Sequence, residues 1–167
     1  MSTKTVGQSK VIMSSVMLPE HANPAGHVHG GEIIKLMDTA AAVVARRHAR
    51  TNVVTARVDE LEFHHPIFIG NVVTCHGQLT FVGKSSMEIS ITVTMEDLSK
   101  EEPAKTALTA FFTFVALDEN GRPHPVPTLE ITSEEEACLF EQGKQRYLAY
   151  KQKKARPAAC QVTLEQQ

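Results

Sequence analysis

The chain has 167 residues and a net charge of −2, with 42% hydrophobic and 22% charged residues. This length favours one globular domain. The balanced charge argues against nucleic-acid binding, because domains of that kind carry a basic excess. Three widely spaced cysteines, Cys75, Cys138 and Cys160, fit neither a disulfide framework nor a zinc knuckle. There is no signal-peptide core and no apolar run of about 20 residues, so we predict a cytoplasmic protein with no membrane partner.

The first half of the chain contains the clearest helix. An edge strand is predicted over 11–18 and a loop over 19–30, which is rich in proline and glycine. Apolar residues then recur at helical spacing over 31–49, and arginines at the end of this segment suit the helix dipole.

The second half is rich in strands. Four strand-like segments follow the helix, at 52–63, 71–82, 86–96 and 106–117. The third alternates strictly between apolar and polar residues, which predicts an antiparallel strand with one solvated face. A second helix is predicted over 133–153, with Ser133 and Glu136 in a capping-box pattern, and we expect the last dozen residues to fray. One long apolar helix with one mainly antiparallel sheet predicts an α+β fold in which the sheet wraps the helix.

Asp38 is the most informative residue, because it lies among the apolar residues Ile34, Met37 and Ala41 of the predicted helix. A carboxylate on a buried stripe costs several kcal/mol unless it has a partner. It is therefore a partnered core aspartate, a surface residue misjudged as buried, or a catalytic group.

The helix begins at His29-Gly30-Gly31, where two glycines let a ligand approach the backbone. The free N–H groups of a first helical turn can bind an anion or stabilise an oxyanion in acyl transfer. A flexible helix entry is the alternative. Asp38 lies about 10 Å further along the axis, so one small reacting centre cannot contact both features of one helix. If both act in one reaction, two copies of the helix must meet, most simply across a two-fold dimer.

The segment PEHANPAGHVHGG (19–31), followed by KLMD (35–38), resembles the signature of hotdog-fold acyl-CoA thioesterases, in the cytosolic acyl-CoA hydrolase branch. Further matches run downstream, and the resemblance covers about 11–127. The downstream matches comprise Val54-Thr55, Asp59, Phe63, Pro66 with Gly70, and 83–88.

The resemblance implies a hotdog domain over 11–127, with a five-stranded antiparallel sheet wrapped around a long central helix. It leaves 128–167 as an extra C-terminal helix and flexible tail. It also implies a homodimer, assembled further into a trimer of dimers, with active sites at the dimer interface.

The implied reaction is hydrolysis of an acyl-CoA thioester to a fatty acid and CoA, with CoA as part of the substrate and no required cofactor. Carried over by position, Asp38 is general base or nucleophile and Asn23 of the partner subunit orients water or the carbonyl. The N–H of Gly31, together with Gly30, receives the oxyanion. A non-catalytic acyl-CoA binding module is the alternative function. A hydroxyacyl dehydratase is disfavoured, because hotdog enzymes of that kind lack the His-Gly-Gly and Met-Asp pattern.

The segment Gly83-Lys84-Ser85-Ser86 is not a P-loop, because its glycine spacing is wrong and it leads into a strand. In the family's position it is a candidate contact for CoA phosphates, and a solvated hairpin is the alternative. The basic run near the C-terminus is either a solvated helix face or an attractor of the CoA phosphates or of an anionic surface; it comprises Lys144, Arg146, Lys151, Lys153, Lys154 and Arg156. The eight histidines lack cysteine or carboxylate partners at regular spacing, so no metal site is predicted. Arg57 and Asp59 are expected to form a structural salt bridge.

Overall fold

The computed structural model describes residues 2–155, so the expected fraying of the last dozen residues lies outside the described range. In chain order the elements are β1 (Thr3–Thr5), β2 (Val11–Val16), α1 (Gly30–Ala49), β3 (Asn52–Phe63), β4 (Val72–Val82), β5 (Ser86–Glu96), β6 (Lys105–Leu117), β7 (Thr128–Glu130) and α2 (Glu134–Ala155). Strands β2 to β6 form one antiparallel sheet in the order β2-β4-β5-β6-β3. The predicted helices and strands are thereby confirmed, with ends that differ by a few residues.

Helix α1 lies against all five strands of this sheet and supplies much of the core. Its buried residues recur at helical spacing and include Ile33, Met37, Val44 and Ala45. This is the hotdog fold that the resemblance implied. Neither helix has a segment long and apolar enough to span a bilayer, as far as residues 2–155 are concerned.

Helix α2 packs on the opposite face of the sheet. A β-bulge in β4 makes this packing possible. The register of β4 against β5 slips between Leu79 and Phe81, so that Phe81 pairs with Glu88. Because side chains alternate along a strand, the extra residue turns Phe81 away from the core. There Phe81 packs against the rings of Phe140 and Tyr147 of α2.

The predicted solvated face of β5 is wrong at one position, because Glu88 is only 4% exposed beneath α2. Arg146 donates two hydrogen bonds to its carboxylate, and Thr80 donates a third at 2.7 Å. Gly143 passes so close that a Cβ atom there would lie 2.7 Å from the Glu88 carboxylate. Arg146 therefore anchors α2 to the sheet instead of lying on a solvated helix face.

Two short strands add a feature that the sequence did not predict. Strand β1 pairs with β7 in parallel, and this places the N-terminal segment beside the end of α1. Lys4 donates hydrogen bonds to the carbonyls of Arg47 and His48, the latter at 2.6 Å. The buried ring of His48 bonds the Pro127 carbonyl at 2.8 Å. These contacts tie the N-terminal segment and the segment that leads into β7 to the last turn of α1.

Candidate active site

Asp38 projects from the middle of α1 towards the inner face of β3. The Thr55 hydroxyl donates a 2.7 Å hydrogen bond to its Oδ1 atom. The side chain is half-buried, not enclosed in the core, because Asp38 lies on the flank of the apolar stripe whose centre holds Met37 and Ala41. Oδ2 makes no hydrogen bond to the rest of residues 2–155, which leaves one carboxylate oxygen for another group.

Asn23 lies in the tight loop that precedes α1. Its Oδ1 atom accepts the N–H groups of Ala25 and His27 at 3.0 and 3.1 Å. Gly26 has a φ of +83°, a conformation that favours glycine, and this lets the loop close. Since the Oδ1 atom stabilises the loop, the Nδ2 group is the part of Asn23 that can donate to a ligand.

Among the described residues, the start of α1 presents one amide without a hydrogen-bond acceptor and one that is occupied. His29 is the N-cap residue, and its Nδ1 atom accepts the Gly31 N–H at 3.0 Å. Gly30 is the first helical residue, so its N–H has no intrahelical acceptor. A Cβ atom at Gly30 would lie 3.1 Å from the Phe63 ring, so glycine permits this close approach. Of the two predicted oxyanion donors, Gly30 is the available one in this conformation.

Within one chain, the loop that holds Asn23 and the Asp38 carboxylate lie at different heights along the axis of α1. The His29 N–H bonds the His21 carbonyl, which holds the loop to the helix entry, whereas Asp38 lies eight residues beyond Gly30. That separation is about 12 Å along the axis. Asp38 instead lies beside β3, an edge of the sheet whose Val54, Val58 and Phe63 are 43%, 39% and 57% exposed.

The Gly83-Lys84-Ser85-Ser86 segment forms the turn between β4 and β5. The Gly83 N–H bonds the Ser86 carbonyl, and the carbonyls of Lys84 and Ser85 accept N–H groups of Val126 and Ala116. The turn is thus braced by its backbone, and the Lys84 side chain makes no salt bridge to the described part of the chain.

The remaining polar candidates have structural partners. Arg57 pairs with Asp59 as predicted, and its guanidinium stacks on Tyr150 of α2. His64 and His65 bond Thr109 and the Thr106 carbonyl. Over residues 2–155, no three histidine, cysteine or carboxylate side chains are grouped as metal ligands would be.

Comparison with known proteins relates this geometry to a family. Residues 25–102 match the model of the thioesterase superfamily. The uncharacterized acyl-CoA thioester hydrolase YkhA of Bacillus subtilis is 38% identical over 144 residues, which are 86% of this chain and 83% of that protein. The chain belongs to the thioesterase superfamily. The cytosolic acyl coenzyme A thioester hydrolase of Mus musculus is 42% identical over 151 residues, 90% of this chain. This thioesterase-superfamily chain spans only 40% of the length of that relative.

Solved structures of the superfamily have the same fold. An apo-hexameric acyl-CoA thioesterase has a TM-score of 0.87 and 32% identity, with 94% of this chain and 100% of that chain covered. The acyl-CoA hydrolase of Staphylococcus aureus, in complex with butyryl-CoA and CoA, has a TM-score of 0.83 and 28% identity, with 91% and 92% covered.

The Staphylococcus aureus hydrolase has also been solved as three alanine variants. They replace an asparagine, an aspartate 15 residues later and a threonine 17 residues after that. Asn23, Asp38 and Thr55 stand at the same separations in this chain. Thr55 is the residue whose role sequence reasoning missed. Its signal was the Val54-Thr55 match, but only the hydrogen bond to Asp38 indicates what the hydroxyl does.

Proposed function

We propose that this protein hydrolyses acyl-CoA thioesters to a carboxylic acid and CoA. The observation that carries the proposal is the half-buried carboxylate of Asp38, held by Thr55 beside an exposed sheet edge in a thioesterase-superfamily fold. The names of the relatives and the matched separations of Asn23, Asp38 and Thr55 support it. By analogy with the cytosolic relative, we propose a cytoplasmic location.

The chemistry needs a base or nucleophile and an oxyanion donor. Asp38 either removes a proton from water as it attacks the thioester carbon or attacks that carbon itself to give a mixed anhydride that water hydrolyses. The C–S bond breaks, and the CoA thiolate leaves and takes up a proton. The Gly30 N–H stabilises the oxyanion, and Gly31 can join if His29 releases it. Asn23 donates through Nδ2 to the water or the carbonyl.

The site is proposed to form between two subunits. The 12 Å axial separation within one chain keeps Asp38 away from the donors at the start of its own α1. The exposed edge β3 lies next to Asp38, and pairing of two such edges would bring the helix of one subunit to the loop of the other. We propose a homodimer of this kind, assembled into a trimer of dimers as the hexameric neighbour suggests.

The test is thiol release from acyl-CoAs of graded chain length. Because a positioned general base contributes about 10²–10⁴-fold, we expect Asp38→Asn to lower kcat by that factor. Asp59→Asn is the matched control, since Asp59 is also half-buried but pairs with Arg57 on the opposite face of the sheet. Its turnover should stay near that of the wild type.

Two outcomes would contradict the proposal. Full turnover by Asp38→Asn would remove Asp38 from the mechanism. Wild-type protein that binds acyl-CoA without releasing thiol would establish the alternative function, a non-catalytic acyl-CoA binding module.

We further expect Thr55 to act as a positioning residue through its bond to Asp38. A hydrogen bond to a charged group contributes about 1.5–3 kcal/mol, so Thr55→Val should lower kcat roughly 10- to 100-fold and leave KM nearly unchanged. Thr55→Ser keeps the hydroxyl and should restore most of the rate. Steady-state kinetics of both variants decide the matter: equal losses for valine and serine would show that the hydroxyl is not what matters.

A further inference from the structure

A cavity of about 480 Å³ lies at the C-terminal end of α1 and uses none of the residues of the proposed reaction. Three arginines line it, Arg46, Arg47 and Arg50. Val43, Thr51 and Asn52 complete the wall. The lining contains guanidinium and amide donors and no carboxylate, which is the composition of an anion site.

Within the part of the chain that the structure describes, no acidic side chain neutralises the positive charges of this cavity. No carboxylate lies within salt-bridge distance of Arg46, Arg47 or Arg50 in the described range 2–155. Lys4 adds a fourth charge nearby, and its pKa is lowered by burial and by the Arg50 guanidinium. The cavity beside α2 differs, because Arg57 and Arg146 there are paired with Asp59 and Glu88.

The guanidinium groups of Arg46, Arg47 and Arg50 are not needed to cap the C-terminal end of α1. The Arg46 carbonyl accepts the Arg50 N–H, and Lys4 bonds the carbonyls of Arg47 and His48. The Arg47 guanidinium donates to the Lys10 carbonyl, and none of the side-chain hydrogen bonds recorded over residues 2–155 uses Arg46 or Arg50. The helix dipole favours cations at this end, but by only about 0.3–1 kcal/mol each.

The distance between this cavity and the proposed reaction centre suits a long ligand. At 1.5 Å per residue, Arg46 and Arg50 lie about 12 and 18 Å along α1 from Asp38, a span comparable to an extended pantetheine arm. We propose that this cavity binds the phosphate groups of a nucleotide, either those of the substrate's own CoA or those of a free nucleotide. The first source rests on the function proposed above.

The test combines two variants that remove charge and spare the fold. Arg50 has a φ of 57°, where glycine is favoured, so Arg50→Gly removes the guanidinium without strain. Arg46→Gln changes an exposed side chain. Loss of charge-assisted hydrogen bonds to phosphate should raise the KM for acyl-CoA about tenfold in the double variant and leave kcat unchanged. The KM for the same acyl group on pantetheine, which lacks the phosphates, should not change.

Adenosine 3′,5′-bisphosphate distinguishes the two sources. Competitive inhibition that weakens in the double variant assigns the cavity to the substrate's CoA, and binding that depends on the arginines without competition assigns it to a free nucleotide. Calorimetric binding that is absent, or equal in wild type and double variant, overturns the proposal.

A control and an independent readout complete the test. Lys144→Gln removes a similar charge from a lysine paired with Glu141 on α2, and it should leave both KM values unchanged. If wild-type protein hydrolyses no acyl-CoA, the proposed function fails, but the bisphosphate titration still decides whether the arginines bind phosphate.

Discussion

Mixing two inactive variants, Asn23→Ala and Asp38→Asn, should restore thioesterase activity once their subunits exchange. In a mixed dimer, one shared site contains both wild-type residues and the other contains neither. Random exchange at equal amounts makes half of the dimers mixed, so about a quarter of the wild-type activity should return. Thiol release before and after exchange measures the effect.

The matched control for this experiment is a mixture of Asp38→Asn with Asp38→Ala. These variants lack the same carboxylate, so no combination of their subunits rebuilds a site. Persistent inactivity of the Asn23→Ala and Asp38→Asn mixture, with subunit exchange verified by mass spectrometry, would mean that the two residues do not act across an interface.

The second large effect concerns the anchor of α2. Arg146→Met should lower the free energy of unfolding by about 3 kcal/mol, because it leaves the nearly buried Glu88 carboxylate without its charged partner. The Glu88→Leu and Arg146→Met double variant should recover much of that loss, since an apolar pair avoids the buried charge. Denaturant unfolding of the single and double variants measures both values.

Lys144→Met serves as the comparison on the same helix. Lys144 forms an exposed pair with Glu141, so the substitution should cost no more than about 0.5 kcal/mol. If Arg146→Met and Lys144→Met destabilise the protein equally, the bidentate pair is not what holds α2 in place.

The local patterns of the sequence predicted most of the fold. Helical spacing identified α1, and alternation identified β5, because each pattern follows directly from the geometry of its element. The same alternation misplaced Glu88, since nothing local indicates that Arg146, 58 residues away, covers it. Strands β1 and β7 were missed because three residues are too few for a periodic pattern.

The candidate site was predicted as residue types rather than as geometry. The motif singled out Asn23, Asp38, Gly30 and Gly31, and their roles stay a proposal. The sequence did not indicate that His29 occupies the Gly31 amide or that Asn23 has only its Nδ2 group to offer. Such details depend on how a loop folds back on a helix entry, and spacing alone does not determine that.

The single extra residue in β4 makes the sheet and helix α2 depend on each other, although mutations could otherwise change the two independently. Without the slip before Phe81, that ring would point into the interior, and α2 would have no aromatic platform to rest on. Without α2, the slip would leave the ring facing water. Relatives with a shortened C-terminus should therefore lack the insertion too, and the two traits should be gained and lost together.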